Sequence, residues 1–180
     1  LMLMQRDPIG LITFDTRIRA SVPPRSRRSQ LAAIRTQLTK LKATGETDLG
    51  ASMVQLASML KHRSLVMVFS DLLMETEVAL QSLRLLRGAG HDVIVFHVMD
   101  EAEVSFPFDG VVQLHDPEQA TSLTVNADEI GEEYRRNIAE FRETLRRGCH
   151  ESRIDYVPLH TGNAYDKGLT EYLLSRRGRF

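Results

Sequence analysis

The sequence predicts an α/β fold: a mostly parallel sheet between helices, three layers in all, with one antiparallel strand at its edge. Three observations carry this. Leu65-Val66-Met67-Val68-Phe69-Ser70-Asp71 is an unbroken apolar run closed by a polar pair, the pattern of a strand buried on both faces in the middle of a parallel sheet. Val93-Ile94-Val95-Phe96-His97-Val98 repeats the pattern and closes on Asp100 and Glu101. Around both runs apolar residues recur at spacings of three and four, so strands and helices alternate as right-handed crossovers require. Open sheets of this kind place their sites at the carboxyl ends of the strands. Asp71 and the polar loop 44–50, which feeds the preceding helix, belong at that edge.

In chain order, residues 1–5 suit the last turn of a helix broken by Asp7-Pro8, because the residue before proline avoids the helical region. Residues 9–14 read as a strand. After a turn at Asp15-Thr16, Ile18, Ala20 and Val22 alternate with Arg17, Arg19 and Ser21, one face buried and one wet. Pro23-Pro24 ends this edge hairpin, since proline cannot continue a ladder. Leu31, Ile34, Leu38 and Leu41 form the stripe of an amphipathic helix started by Ser26 or Ser29. Leu49, Met53, Leu56 and Leu60 make a second stripe, with Thr47 or Asp48 capping its first turn.

After Asp71, Glu75 and Glu77 suit the positive end of a helix that turns Ala79, Leu80, Leu83 and Leu86 inward and stops at Gly88 and Gly90. A loop at 106–110 leads to a small hairpin, 111–114 with 122–125, across His115-Asp116-Pro117. Asn126 and Glu129 approach a capping box, followed by the clearest helical stripe in the chain: Ile130, Tyr134, Ile138, Phe141 and Leu145. Residues 154–159 are the last strand, placed at an edge by Pro158. Asn163 caps a final helix carrying Leu169, Tyr172 and Leu173.

The 180 residues suit one domain, large enough to bury roughly 70% of its unfolded surface unaided. A net charge of −1 gives no global pull towards nucleic acid or anionic membrane, and a single cysteine, Cys149, excludes a disulfide framework. The cytoplasm, or the cytoplasmic face of a bacterial membrane if an upstream anchor exists, is the simplest location. No run approaches the roughly 18 apolar residues of a membrane span. A chain opening with Leu1-Met2-Leu3-Met4 is expected to be the later part of a longer protein.

Three stretches, in order, carry a family resemblance: Ile9-Gly10-Leu11-Ile12-Thr13-Phe14-Asp15, Thr44-Gly45-Glu46-Thr47-Asp48-Leu49, and Val68-Phe69-Ser70-Asp71-Leu72. They resemble a Rossmann-like von Willebrand factor A domain after its first strand. Gly90 to Asp100, Phe106-Pro107-Phe108-Asp109-Gly110 and Ile154-Asp155-Tyr156-Val157-Pro158-Leu159 resemble more narrowly the bacterial domain-of-unknown-function family fifty-eight.

The resemblance implies a metal-ion-dependent adhesion site at the carboxyl edge of the sheet, holding Mg²⁺ or Mn²⁺ with hydroxyl, carboxylate and water oxygens. Thr47 and Asp71 match its ligands, with Asp48 and Ser70 behind them. The Asp-x-Ser-x-Ser of the first strand has no counterpart here, so the site is incomplete and the metal is expected in the intact protein rather than in this chain. That missing strand lies between residues 9–14 and 65–70. Its absence would leave a gap of about 10 Å, closed either by direct pairing of those two strands or by a strand borrowed from a second copy.

Plainer roles compete: Thr47 and Asp48 as helix caps, Asp71 as a turn former, His97 as a hydrogen-bonded core residue and Cys149 as a buried apolar one. Two functional readings follow. The first is a protein-interaction module whose partner, by resemblance, is a MoxR-type AAA+ ATPase or its client, with homo-oligomers through exposed strand edges. The second is a metal-dependent hydrolase using Asp71, Asp100 and His160. The chain has no nucleophile elbow, phosphate loop, dinucleotide fingerprint or paired metal motif, which favours the first. Arg25-Ser26-Arg27-Arg28, without interleaved aromatics, supports no nucleic-acid partner.

Overall fold

In the computed structural model the parallel sheet has the order β3-β4-β7, from Leu65–Ser70, Asp92–Met99 and Asp155–His160. The structure describes residues 2, 4–41, 48–116 and 121–162. Thr47, most of the loop 44–50 and the expected final helix from Asn163 onward lie outside the described residues. Two antiparallel pairs stand apart from the sheet: β1 with β2 (Ile9–Phe14, Ile18–Arg25) and β5 with β6 (Val111–Asp116, Thr121–Asn126). The helices are α1 (Ser29–Lys40), α2 (Leu49–Met59), α3 (Thr76–Gly88), the short α4 (Glu101–Ser105) and α5 (Ala127–Glu151).

One face of the sheet carries the main core. Val68, Val93 and Val95 meet Leu49, Met53 and Leu56 of α2, Leu80, Leu83 and Leu86 of α3, and Leu145 and Cys149 of α5. The stripes on α2, α3 and α5 face inward as their periodicity predicts. On the other face Ile94 and Phe96 cluster with Val157 and the partly buried Leu159. Beside them on β3, Met67 is 42% exposed and Phe69, stacked on Phe96 at 4.6 Å, is 56% exposed.

This corrects the expectation of a central strand buried twice over. Among the described residues β3 pairs with β4 alone, and on its second face Leu65, Met67 and Phe69 are exposed. It also corrects one feature of the fold class: β1 belongs to its own two-stranded sheet rather than to the edge of the parallel one. Direct pairing of β1 with β3 does not occur. Ile12 and Phe14 of β1 pack against the same core as Val66, yet no ladder joins the two strands.

The strand β2 runs through Pro23-Pro24 instead of ending there, reaching the pair Ile9↔Arg25 across a register shift. An edge strand tolerates proline where its N–H would face away from the ladder. Gln30 helps: both protons of its side-chain amide go to main-chain carbonyls, of Ile9 at 2.7 Å and Pro23 at 2.8 Å. Gln30 is the buried residue of α1, whereas Leu31, Leu38 and Leu41 are exposed. The helix is thus rolled away from the expected orientation, because satisfying two strand carbonyls draws the glutamine face inward. Its N-cap is Arg28, with no side-chain cap, not Ser26 or Ser29.

Other boundaries follow the chain's local chemistry. Asp48 caps α2 by accepting from the N–H of Ala51 at 2.9 Å. Asn126 caps α5 through the N–H of Asp128 and holds Glu129 side chain to side chain at 2.8 Å. Gly90, at φ +90°, ends the α3 segment where a left-handed residue is needed.

Candidate functional site: the carboxyl edge of the sheet

The end of β3 is a tight, locally satisfied turn. Ser70 Oγ accepts from the N–H of Leu72 at 3.1 Å, and Asp71 Oδ1 accepts from the N–H of Leu73 at 3.3 Å. These two bonds bend the chain so sharply that Leu72 sits at φ +52° with its side chain wholly buried. For a residue with a Cβ that conformation costs about 1 kcal/mol or more. Burial of Leu72 in the core offsets it. The outcome is an outward display: Asp71 is exposed, and Leu73 is 57% exposed.

His97, on the neighbouring strand, secures this turn from beneath. It is 1% exposed, with Nε2 2.7 Å from the carbonyl oxygen of Asp71 and Nδ1 2.5 Å from Tyr156 Oη. A carbonyl only accepts, so Nε2 carries the proton and Nδ1 takes the Tyr156 hydroxyl proton. Burial favours this neutral form, holding the ring's pKa below the ordinary value despite the Asp71 contact. Burial likewise pushes Tyr156 up to about 12, with Arg142 opposing the shift. Phe141 of α5 closes the ring edge-on at 5.8 Å. The expectation of a hydrogen-bonded core histidine holds. What sequence reading missed is Tyr156, whose place two residues before Pro158 showed nothing of its role; only the register β3-β4-β7 brings it to His97.

Asp100, at the end of β4, is occupied differently. It caps α4 in a full capping box with Glu103 and accepts from Thr161 Oγ1 at 2.6 Å. The Thr161 hydroxyl and the Ala102 N–H hold its carboxyl below the usual range. His160 has a buried Nδ1 with no hydrogen-bond partner. Asp48 lies at the start of α2, where its N–H and the Ser52 hydroxyl both reach the carbonyl of Asp15 at 3.1 Å, fastening the β1–β2 turn to the helix. Ser70 and Asp71 share one turn, whereas Asp48 and Asp100 each cap a helix of their own. Among the described residues no group of three or more His, Cys, Asp or Glu is placed to hold a metal. Ser70 and Asp71 each engage one oxygen in the turn, and Thr47, the other expected ligand, lies outside the described residues.

The family described as Protein of unknown function DUF58 matches residues 1–144. The chain belongs to that family. Two solved structures share the fold of this DUF58 chain. One is the conserved hypothetical protein BatB from Bacteroides thetaiotaomicron, 14% identical with a TM-score of 0.59, covering 99% of this chain and 84% of its own. The other is an aerotolerance-related membrane protein from Bacteroides fragilis NCTC 9343 with multiple mutations to serines, 15% identical with a TM-score of 0.55, covering 91% and 77%. No curated protein matches. Among the described residues no helix is long and apolar enough to cross a membrane.

Proposed function

We propose that this DUF58 chain is a non-enzymatic protein-docking module of von Willebrand factor A type with an incomplete adhesion site, working with a MoxR-type AAA+ ATPase or its client at the cytoplasmic side of a membrane. The observation that carries the docking reading is the 70–73 turn. It presents a carboxylate and a leucine side by side, on a backbone held rigid by a buried histidine. Preorganised exposed pairs of this kind suit protein contact, since little ordering remains to be done on binding. The Bacteroides fragilis neighbour is described as a membrane protein, which supports the location. A hydrolase built on Asp71, Asp100 and His160 has less support, because Asp100 is committed to its helix cap and to Thr161.

The test is binding of purified MoxR-type ATPase, with Asp71→Ala and Leu73→Ser each expected to weaken it about tenfold. Undiminished binding by both variants would remove the turn from the interface. Calorimetry with MgCl₂ and MnCl₂ serves as a companion: no saturable heat is expected, and a saturable site lost in Asp71→Ala would restore the metal reading through ligands outside the described residues.

The outer edge of β3 bears no charge and no proline along Leu65–Ser70, and such edges pair readily with other strands. Self-association through it follows. Light scattering is expected to show dimers that Phe69→Lys returns to monomers; a wild-type monomer at every concentration would contradict this.

A further inference from the structure

The net charge of −1 hides a segregation. Residues 1–42 hold nine Lys and Arg against two acids, leaving 14 basic against 22 acidic residues in the remainder. One of those two acids, Asp15, is bound to Arg19. Arg25 at the end of β2, Arg27 and Arg28 in the link, and Arg35 and Lys40 on α1 are all exposed, and among the described residues none is ion-paired. Their placement is not explained by helix stability. Arg27 and Arg28 lie at the positive end of α1, which has no acid in its first turn, where cations oppose the helix dipole.

The apolar residues of α1 repeat the anomaly. Leu31, Arg35 and Leu38 share one flank by their i, i+4, i+7 spacing. Leu31 is 62% and Leu38 49% exposed, and Leu41 just beyond the helix is 47% exposed. The inward face is instead Gln30, Ile34 and Gln37. A surface helix that turns glutamine inward and leucine outward, with arginines at its start, on its flank and a lysine at its end, has the build of an interfacial helix.

We propose that the β2–α1 flank rests on an anionic phospholipid surface, with Leu31, Leu38 and Leu41 at the acyl boundary and Arg25, Arg27, Arg28, Arg35 and Lys40 on lipid phosphates. An acidic protein would satisfy the arginines, but a row of leucines spread along a whole helix with basic residues beside it matches a plane that offers phosphate and apolar depth within a few ångströms. This surface uses none of the residues of the 70–73 turn, so it stands or falls separately from the docking function.

The test is sedimentation of the full chain with vesicles of phosphatidylcholine alone or with about one third phosphatidylglycerol. Binding is expected to the anionic vesicles only and to weaken with salt. The triple variant Arg27→Glu, Arg28→Glu, Arg35→Glu should bind roughly 100-fold more weakly, and Leu31→Ser with Leu38→Ser roughly tenfold more weakly, both checked for native circular dichroism. Leu123→Ser, an exposed leucine on β6, should change nothing. Equal binding to neutral vesicles, no binding to either, or equal loss in Leu123→Ser would overturn the proposal. So would full binding retained by the leucine variant together with displacement by polyglutamate, which would mark an acidic protein surface as the partner.

Discussion

Replacing His97 with leucine is expected to destabilise the domain by about 3 kcal/mol, because the carbonyl of Asp71 and the hydroxyl of Tyr156 would each lose a buried partner. For a domain of this size that lowers the melting temperature by roughly 10 °C. The same variant should loosen the 70–73 turn and so weaken any binding that depends on Asp71, which a stability defect elsewhere in the core would not do. The wild-type protein carries a matching pH dependence. Charged or titratable groups face the ring from each side: Asp71 at the end of β3, Tyr156 and His160 on β7, and Arg142 on α5.

His97 has a folded-state pKa below the ordinary histidine value of 6.5, so the unfolded chain binds its proton first as pH falls. Stability from the neutral ring is then complete above that value and is lost progressively below it. Thermal melts from pH 8 to pH 5 should show this acid limb in the wild type and a shallower one in His97→Leu. Identical slopes would mean that other groups govern the acid response.

The second large effect is expected at Gly148, where α5 crosses α3. A Cβ built there meets the Leu80 side chain, with Cδ2 at 2.8 Å and Cγ at 3.2 Å and Cδ1 closer still. Leu80 is itself buried in the main core, so it has little room to turn aside. Gly148→Val should cost about 3 kcal/mol, the overpacking penalty exceeding the roughly 1 kcal/mol that a helix gains on losing a glycine. Gly88, at the end of α3, supplies the contrast, because nothing lies within 4 Å of its Cβ position. Gly88→Ala should stabilise by about 0.5 kcal/mol. Urea titrations of the two variants should move the midpoint in opposite directions with unchanged slope; a destabilised Gly88→Ala would show that the space around α3 is not what decides the sign.

These cases mark where local pattern stops being sufficient. The inward stripes of α2, α3 and α5, the caps at Asp48 and Asn126 and the hairpin β5–β6 were legible, since each depends on residues within one or two turns of one another. Leu31 and Leu38 misled, because periodicity finds an apolar face without saying which way the helix rolls. That orientation is decided by Gln30, whose amide is bound to carbonyls on two different strands, of Ile9 and Pro23. Asp71 could be named as a candidate from its position at a strand end. Its rigidity could not, since it depends on His97 and Tyr156 from two other strands.

By itself, then, the sequence determined the order of the strands and of the helices α1, α2, α3 and α5, the caps at Asp48 and Asn126, and the resemblance to a family that residues 1–144 bear out. Those are properties of short windows, where hydrophobic spacing and capping chemistry act alone. Only the tertiary structure decided that β3 has an open edge, that β1 and β2 form a sheet of their own, and that α1 turns its leucines and arginines to solvent. Each of these depends on which partner is present to cover a face or complete a ladder, and no local pattern of residues contains that information.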